Sequence, residues 1–433
     1  MTNALKPKLI SPEQLASAVG RLPENPRVVV SGNFSVPWST LKAFSEYQEH
    51  FTLNMLHAPK GVVMHDGVTP ETSFVGPGLR GHPNLQYVPS RLSMVPLLFL
   101  HGHLPVDVVI ANISVPVDGK VSLGAEVNVM VGAIEACKRR GGLLIGQVNR
   151  HMPYTFGDGE FSIDDFDILV EADDELGHSA PWDDHKGGHG SKMITNDKID
   201  PEASADAIAD NVARRIENGM YLQMGIGDIP DRVLARLKRH RNMKIWTEMF
   251  SDGVLGLERN GVLDPSFRIM STFINGSREL MDWVHLNDRV RIMRTETINN
   301  PGNIMKNPGQ ISINTALQID IRDRANAARV GTKIISGFGG STDFIVGAVH
   351  SHGGQSIMAL RSWHPKIDQS TIVPRIESPV TSSMHSAVIT EHGVAEITGA
   401  TQDQKARNLI EHAAHPAARD WLREEGQKEG LNI

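Results

Sequence analysis

A single cysteine, Cys137, occurs among the 433 residues, so no disulfide can form within the chain. A disulfide-stapled scaffold is therefore excluded, and a reducing, cytoplasmic setting is the natural expectation. A lone cysteine can serve as a nucleophile, but Cys137 lies in GAIEACKRR, which reads as a helix and suits a small buried side chain. Long apolar runs are missing too: nowhere do about 18 consecutive apolar residues appear, so no membrane span is expected. The N-terminal MTNALKPKLISPEQ has no apolar stretch of signal-peptide type. Nor is there a basic excess. A net charge of −7 argues against a nucleic-acid partner. His178, His185 and His189 cluster with Asp183 and Asp184, but their spacing fits no zinc pattern and cysteine is absent, so a solvated linker is expected and no metal.

What is present is an alternation of short β-rich runs and helical stretches. Ser11, Pro12 and Gln14 read as a helix start with Ser11 as cap, Pro12 in the first turn and Gln14 reaching back. RVVVSGN is a buried strand opening into a loop, and VDVVIANIS and GLLIGQVN repeat the pattern around a helix near Ala133 to Arg139. Strands separated by helices imply parallel pairing with helices on the sheet faces. Between about Ala172 and Pro201 the pattern lapses into a polar, Gly-rich stretch, which divides the chain into residues 1–195 and 196–433. The second part restarts with a helix carrying Ile208, Val212 and Ile216, with Gly219 at its C-cap, then MYLQM as a strand. MKIW, FRIMSTF, TKIISGFGG, QSIMAL and SAVIT are further candidate strands. The fold class is α/β, as two open, mostly parallel-sheet domains.

Four segments can carry chemistry. GIGDIPDR (Gly225 to Arg232) places glycines before a helix, where unpaired N–H groups suit an anion such as pyrophosphate. The third glycine of a dinucleotide fingerprint is replaced by Pro230, so a plain strand–helix turn fits equally well. WTEMFSDG puts Glu248 at or just past a strand's C-terminal end, where open sheets hold their ligands. A carboxylate there serves as base, metal ligand or nucleophile, or is simply a solvated loop residue. SGFGGSTDF offers backbone N–H groups to a phosphate or a developing oxyanion, or is only a tight turn. VITEHGVAEITG carries Glu391, for which a structural turn is the better reading.

Taken together these segments resemble the acetyl-CoA hydrolase/transferase family. FVGPGLR, LPVDVVIANISVPVDGKVSLG and VNRHMPYTFGD match in the first part, and GIGDIP, TEMFSDGV, SINTALQID, GFGGSTDF and TEHGVAE in the second. The resemblance implies two CoA-transferase-type domains, the second carrying the catalytic glutamate. It implies Glu248 as covalent nucleophile, Gly339 and Gly340 as the loop supporting an acyl oxyanion and approaching CoA, and Asn299 as the residue positioning a carboxylate substrate. Gly225, Ile226, Gly227, Asp228 and Ile229 match a CoA-contacting turn. The implied activity is exchange of CoA between an acyl-CoA and a small or medium carboxylic acid, through a glutamyl-CoA intermediate. Acyl-CoA hydrolysis on the same scaffold, or a weakened CoA-binding paralogue, are the alternatives. No tightly bound cofactor is implied, CoA being substrate, and a homo-oligomer is implied. The chain departs from its relatives at Pro365, where Lys is usual, at Thr371, where Arg is usual, and at Met384, usually Arg; Lys366 or Arg375 are the replacements at hand, and Lys366 is taken as the CoA contact. Ser341 and Thr342 stand where Gln and Val are common.

Overall fold

The Val-rich run after Pro26 forms the strand Arg27–Val30, whose three valines are all buried, and Val108–Ile113 and Leu143–Val148 form beside it as their apolar runs lead one to expect. These strands belong to a computed structural model that describes residues 8–183, 197–225, 227–378, 381–382 and 385–433. The described chain divides into two compact units. The first holds residues 8–183, 268–298 and 333–339, and the second holds 197–267, 299–332 and 340–433.

In the first unit eight strands form one parallel sheet. Across it run Lys8–Ile10, Ile168–Glu171, Leu143–Val148, Val108–Ile113, Arg27–Val30, Phe51–Asn54, Val68–Thr72 and Gln86–Tyr87. Burial on both faces explains the unbroken apolar runs, because parallel sheets are covered by helices on each side. The helix Trp38–Tyr47 buries Trp38, Leu41 and Phe44, which recur at helical spacing and join Val28, Val30, Phe51 and Leu53 in one core cluster. Met130–Arg140 ends at Gly141 in a left-handed conformation (φ 70°), with Lys138, Arg139 and Arg140 in the last turn facing the negative helix end. Cys137 of that helix is fully buried, and burial pushes its thiol up to about 12, so it is an inert core residue.

The start near Ser11 forms as read, with Ser11 as cap, Pro12 in the first turn and Gln14 closing a capping box. Gln14 Oε1 accepts the Ser11 N–H at 3.1 Å, and the Ser11 hydroxyl donates to Glu13. The element is a three-residue 3-10 turn and a single α-turn, Leu15–Ala18.

The second unit has a six-stranded sheet in the order Lys244–Ile245, Tyr221–Met224, Gln310–Asn314, Gln355–Ala359, Ala387–Thr390 and Gly393–Glu396. All its pairs are parallel except the closing hairpin. Both sheets are open and the fold class is α/β, as the alternation implies. The helix Pro201–Ala213 starts at Asp200, whose carboxylate accepts the N–H groups of Glu202 and Ala203, with Pro201 in the first turn. Ile208 and Val212 face the core, but the helix stops before Ile216. Gly219 (φ 82°) therefore serves the turn into the strand Tyr221–Met224 and is not the C-cap. Among the described residues no helix is long and apolar enough to cross a membrane.

Candidate active site

Glu248 sits between the strand Lys244–Ile245 and the two-residue strand Met249–Phe250 of the second unit. Its neighbour Thr247 is buried and anchors the segment: its hydroxyl donates to the Met249 carbonyl at 2.9 Å and lies 3.4 Å from the Met224 amide nitrogen. The Trp246 carbonyl accepts from the Gln310 side chain at 3.4 Å. The segment is thus tied to two neighbouring strands, and Glu248 projects from a fixed base.

Two sequence-distant groups meet its carboxylate. Asn299, fully buried just before the short helix Pro301–Ile304, donates from Nδ2 to Glu248 Oε2 at 2.7 Å. The backbone N–H of Gly340 hydrogen-bonds the same carboxylate. Gly340 is the cap residue of the helix Ser341–His350. A Cβ placed on Gly340 would lie 1.6 Å from Glu248 Oε2 and 2.0 Å from Asn299 Nδ2, so only glycine lets the backbone come this close. The helix itself is brought in by Gly347, where a Cβ would lie 2.4 Å from Ile304 Cβ. Three of the residues implied by the resemblance, Glu248, Asn299 and Gly340, therefore form one contact set.

The electrostatics are unusual for a glutamate. Burial pushes the Glu248 carboxyl up, with a further push from Asp343, against the hydrogen bonds of Asn299 and Gly340; the outcome is about 7 in place of 4.5. Asp343 is fully buried in the first turn of Ser341–His350, and the motif reading passed over it. Its signal was its place: an acid three residues beyond the last glycine of GFGGSTDF.

The other anticipated residues take different positions. Gly339 has φ 54° and belongs to the first unit, where its carbonyl accepts the Leu92 N–H at 2.8 Å. Gly227 has φ 119° and caps the helix Asp228–Arg236. Gly225 lines a small cavity with Met224, Thr247, Met249 and Ser251, so the turn lies beside the backbone that carries Glu248. A Cβ on Gly225 or Gly227 would meet nothing within 4 Å. Asp228 is engaged by Arg232 at 2.6 Å and Arg361 at 2.5 Å; burial pushes its carboxyl up, but these guanidiniums hold it below the usual carboxylate range. Ile229 is buried. Ile226, together with Asp184, His185, His189 and Met384, lies outside the described residues.

Lys366 is exposed in the turn between Trp363–His364 and Gln369–Ser370. Thr371 is buried and donates to the Arg361 carbonyl at 2.6 Å, and Arg375 is exposed. Glu391 accepts the Ser362 N–H at 2.9 Å and its hydroxyl, as expected of a turn residue. Among the described residues no group of three metal-ligating side chains occurs. A raised, desolvated carboxylate with two donors is suited to proton transfer or to nucleophilic attack.

Residues 276–426 match the acetyl-CoA hydrolase/transferase C-terminal domain. A 4-hydroxybutyrate coenzyme A transferase from Clostridium kluyveri is 34% identical over 98% of each chain. An acetyl-CoA hydrolase from Neurospora crassa is 26% identical over 78% of this chain and 70% of its own. Among solved structures, RipA from Yersinia pestis superposes with a TM-score of 0.83 over 98% of both chains at 25% identity.

Proposed function

The chain belongs to the acetyl-CoA hydrolase/transferase family and is an enzyme, and from that premise we propose that it moves coenzyme A between carboxylic acids with Glu248 as the covalent nucleophile. The observation that carries this reading is the Glu248 carboxylate: desolvated, basic for its type, and held by Asn299 at 2.7 Å and by the Gly340 N–H.

Glu248 attacks the thioester carbonyl carbon with an oxygen lone pair. A C–O bond forms, the C–S bond breaks with its electron pair leaving on the CoA thiolate, and an acyl-glutamyl anhydride results. The thiolate then attacks the glutamyl carbonyl carbon, expelling the first acid as a carboxylate and leaving a glutamyl-CoA thioester. A second carboxylate reverses both steps. No proton need be transferred, which is why a carboxylate nucleophile suits an exchange between acids and thioesters, and ping-pong kinetics follow.

In the resting enzyme the Gly340 N–H is engaged by Glu248 itself. When Glu248 turns toward a carbonyl, that donor is released to the tetrahedral oxyanion, where one such bond is worth about 3 kcal/mol. Asn299, donating to Glu248, holds the attacking oxygen in place and is the group closest to hand for an incoming carboxylate. By the family resemblance Gly339, like Gly340, belongs to the loop that supports the oxyanion and approaches CoA, and the turn Gly225–Ile229, with Lys366, is assigned to the CoA chain. Binding that chain far from the carbonyl supplies energy to hold the strained anhydride. A cytoplasmic homo-oligomer completes the reading, supported by the lone, buried cysteine and by the family resemblance.

Hydrolysis on the same scaffold is the second reading, favoured by the hydrolase relative. It differs in admitting water to the anhydride or thioester. Intact-mass analysis after incubation with a panel of acyl-CoAs tests both: the expected result is a CoA adduct mapping to Glu248. No adduct with any acyl-CoA overturns the covalent reading, and steady thiol release without an added carboxylate assigns the hydrolase.

A further inference from the structure

Arg361 follows the strand Gln355–Ala359 at the carboxyl edge of the second sheet, where open α/β sheets hold their ligands. Its backbone carbonyl accepts the Thr371 hydroxyl at 2.6 Å. Its guanidinium is held along one side. Nε donates to Ser204 Oγ at 3.1 Å, and Nη2 donates to the Pro201 carbonyl at 3.0 Å and to Asp228 Oδ2 at 2.5 Å. Nη1 makes no hydrogen bond among the described residues, and the side chain is 25% exposed. A guanidinium is a planar fork, so anchoring Nε and Nη2 fixes the direction of the Nη1 N–H groups.

These contacts bring the fork to the glycine turn ahead of the helix Asp228–Arg236. Asp228 opens that helix, and its other oxygen accepts from Arg232 at 2.6 Å. Gly225 and Gly227, just before it, border open space: a Cβ on either would meet nothing within 4 Å. A fixed cation with unused donors thus stands beside a bare turn. Arg232 is spent on Glu202 and Asp206 as well as on Asp228. Arg361 has Asp228 as its one acidic partner among the described residues, and shares it. Its charge is therefore only partly neutralised, and a pre-oriented fork of this kind suits a phosphate.

The spacing points to one phosphate group. The strand that leads to Glu248, Lys244–Ile245, and the strand that leads to Arg361 are three steps apart in the sheet. At about 4.8 Å per step their separation is about 14 Å. In CoA the pyrophosphate lies on the order of 15 Å from the sulfur along an extended pantetheine arm, at ordinary bond lengths. The 3′-phosphate lies farther out. Resting on the CoA reading of the glycine turn, we infer that Arg361 binds the pyrophosphate of CoA through Nη1, with Asp228, Ser204 and Pro201 holding its other side. Asp228 then serves the CoA chain as the anchor of its arginine.

The test compares the affinities of CoA, dephospho-CoA and pantetheine for the unmodified protein, Arg361→Met and Arg361→Lys. Calorimetry reads the first two ligands, and ligand-observed NMR reads the weaker pantetheine. CoA and dephospho-CoA are expected to bind Arg361→Met about tenfold or more weakly, and pantetheine within about twofold of the unmodified protein. Arg361→Lys keeps the charge without the fork and recovers part of the loss. The loss shrinks as salt is raised. A merely structural role would weaken all three ligands alike, and that result in the folded variants overturns the inference, as does an unchanged CoA affinity. A loss seen with CoA and absent with dephospho-CoA places the contact on the 3′-phosphate and overturns the pyrophosphate assignment. If the unmodified protein binds neither CoA nor pantetheine, the CoA reading of the turn fails; CoA binding indifferent to Arg361 defeats this inference alone.

Discussion

Two glycine turns that lead into helices of the second unit look alike in sequence and differ in what surrounds them. GIGDIP and GFGGST both follow apolar runs and both lead into helices, Asp228–Arg236 and Ser341–His350. At Gly340 the space for a side chain is already filled, 1.6 Å from a carboxylate oxygen. At Gly225 and Gly227 it is open, and Gly227 is needed for its φ of 119°. One glycine permits a close approach and the other a backbone conformation. The GFGGST turn closes on Glu248 at Gly340, whereas the GIGDIP turn leaves open space at Gly225 and Gly227.

The contrast can be broken most directly at Gly340. Gly340→Ala drives a methyl group into Glu248 and Asn299, and turnover is expected to fall by about 10²- to 10³-fold, as when an oxyanion donor is lost or a nucleophile misplaced. Steady-state transfer assays read this, and near-normal activity would mean that the contact set is not the catalytic one.

Next is the cost of the buried charge. With its carboxyl at about 7 in the native chain and at the usual 4.5 when unfolded, Glu248 holds a proton in the native state that the unfolded chain has lost. Native stability therefore declines as pH rises between those two values. Glu248→Gln carries no such charge and should exceed the unmodified protein by on the order of 3 kcal/mol above about pH 8, with the gain vanishing below about pH 4. Denaturant titrations at several pH values measure it, and a pH-independent difference would refute the raised value.

Asn299→Ala removes a donor that holds the Glu248 carboxyl down. The acid limb of kcat/KM should move to higher pH, and turnover should drop by about tenfold or more. A limb that moves down would contradict the hydrogen bond as the governing contact. The smallest effect is expected at Gly225→Ala. The methyl meets no protein atom within 4 Å, so kcat should stay within about twofold while KM for the acyl-CoA rises. A loss of kcat with KM unchanged would move this turn from the CoA chain to the chemistry.

Much of the fold was legible. Arg27–Val30, Val108–Ile113, Leu143–Val148, Tyr221–Met224 and Gln355–Ala359 all coincide with apolar runs bounded by turn residues. Val68–Thr72 was not, because Pro70 stands inside it and a proline within a run argues against a strand. Its pairing with Phe51–Asn54 across Leu53 and Pro70 comes from the sheet and not from its own pattern. Nothing local marks 268–298 as packing with the first unit, since the strand and helix signals there are the same wherever they pack.

By itself the sequence determined the alternation of strands and helices, the glycines that open the two turns, and a glutamate after a strand. Those features depend on local periodicity and on backbone freedom, which neighbouring residues suffice to set. Only the tertiary structure decided that Glu248 is desolvated, that Asn299 and Gly340 meet it, and that Asp343 is buried in the first turn of the helix Gly340 caps. Ionisation is governed by what stands within a few ångströms, and here those groups come from segments far apart in the chain.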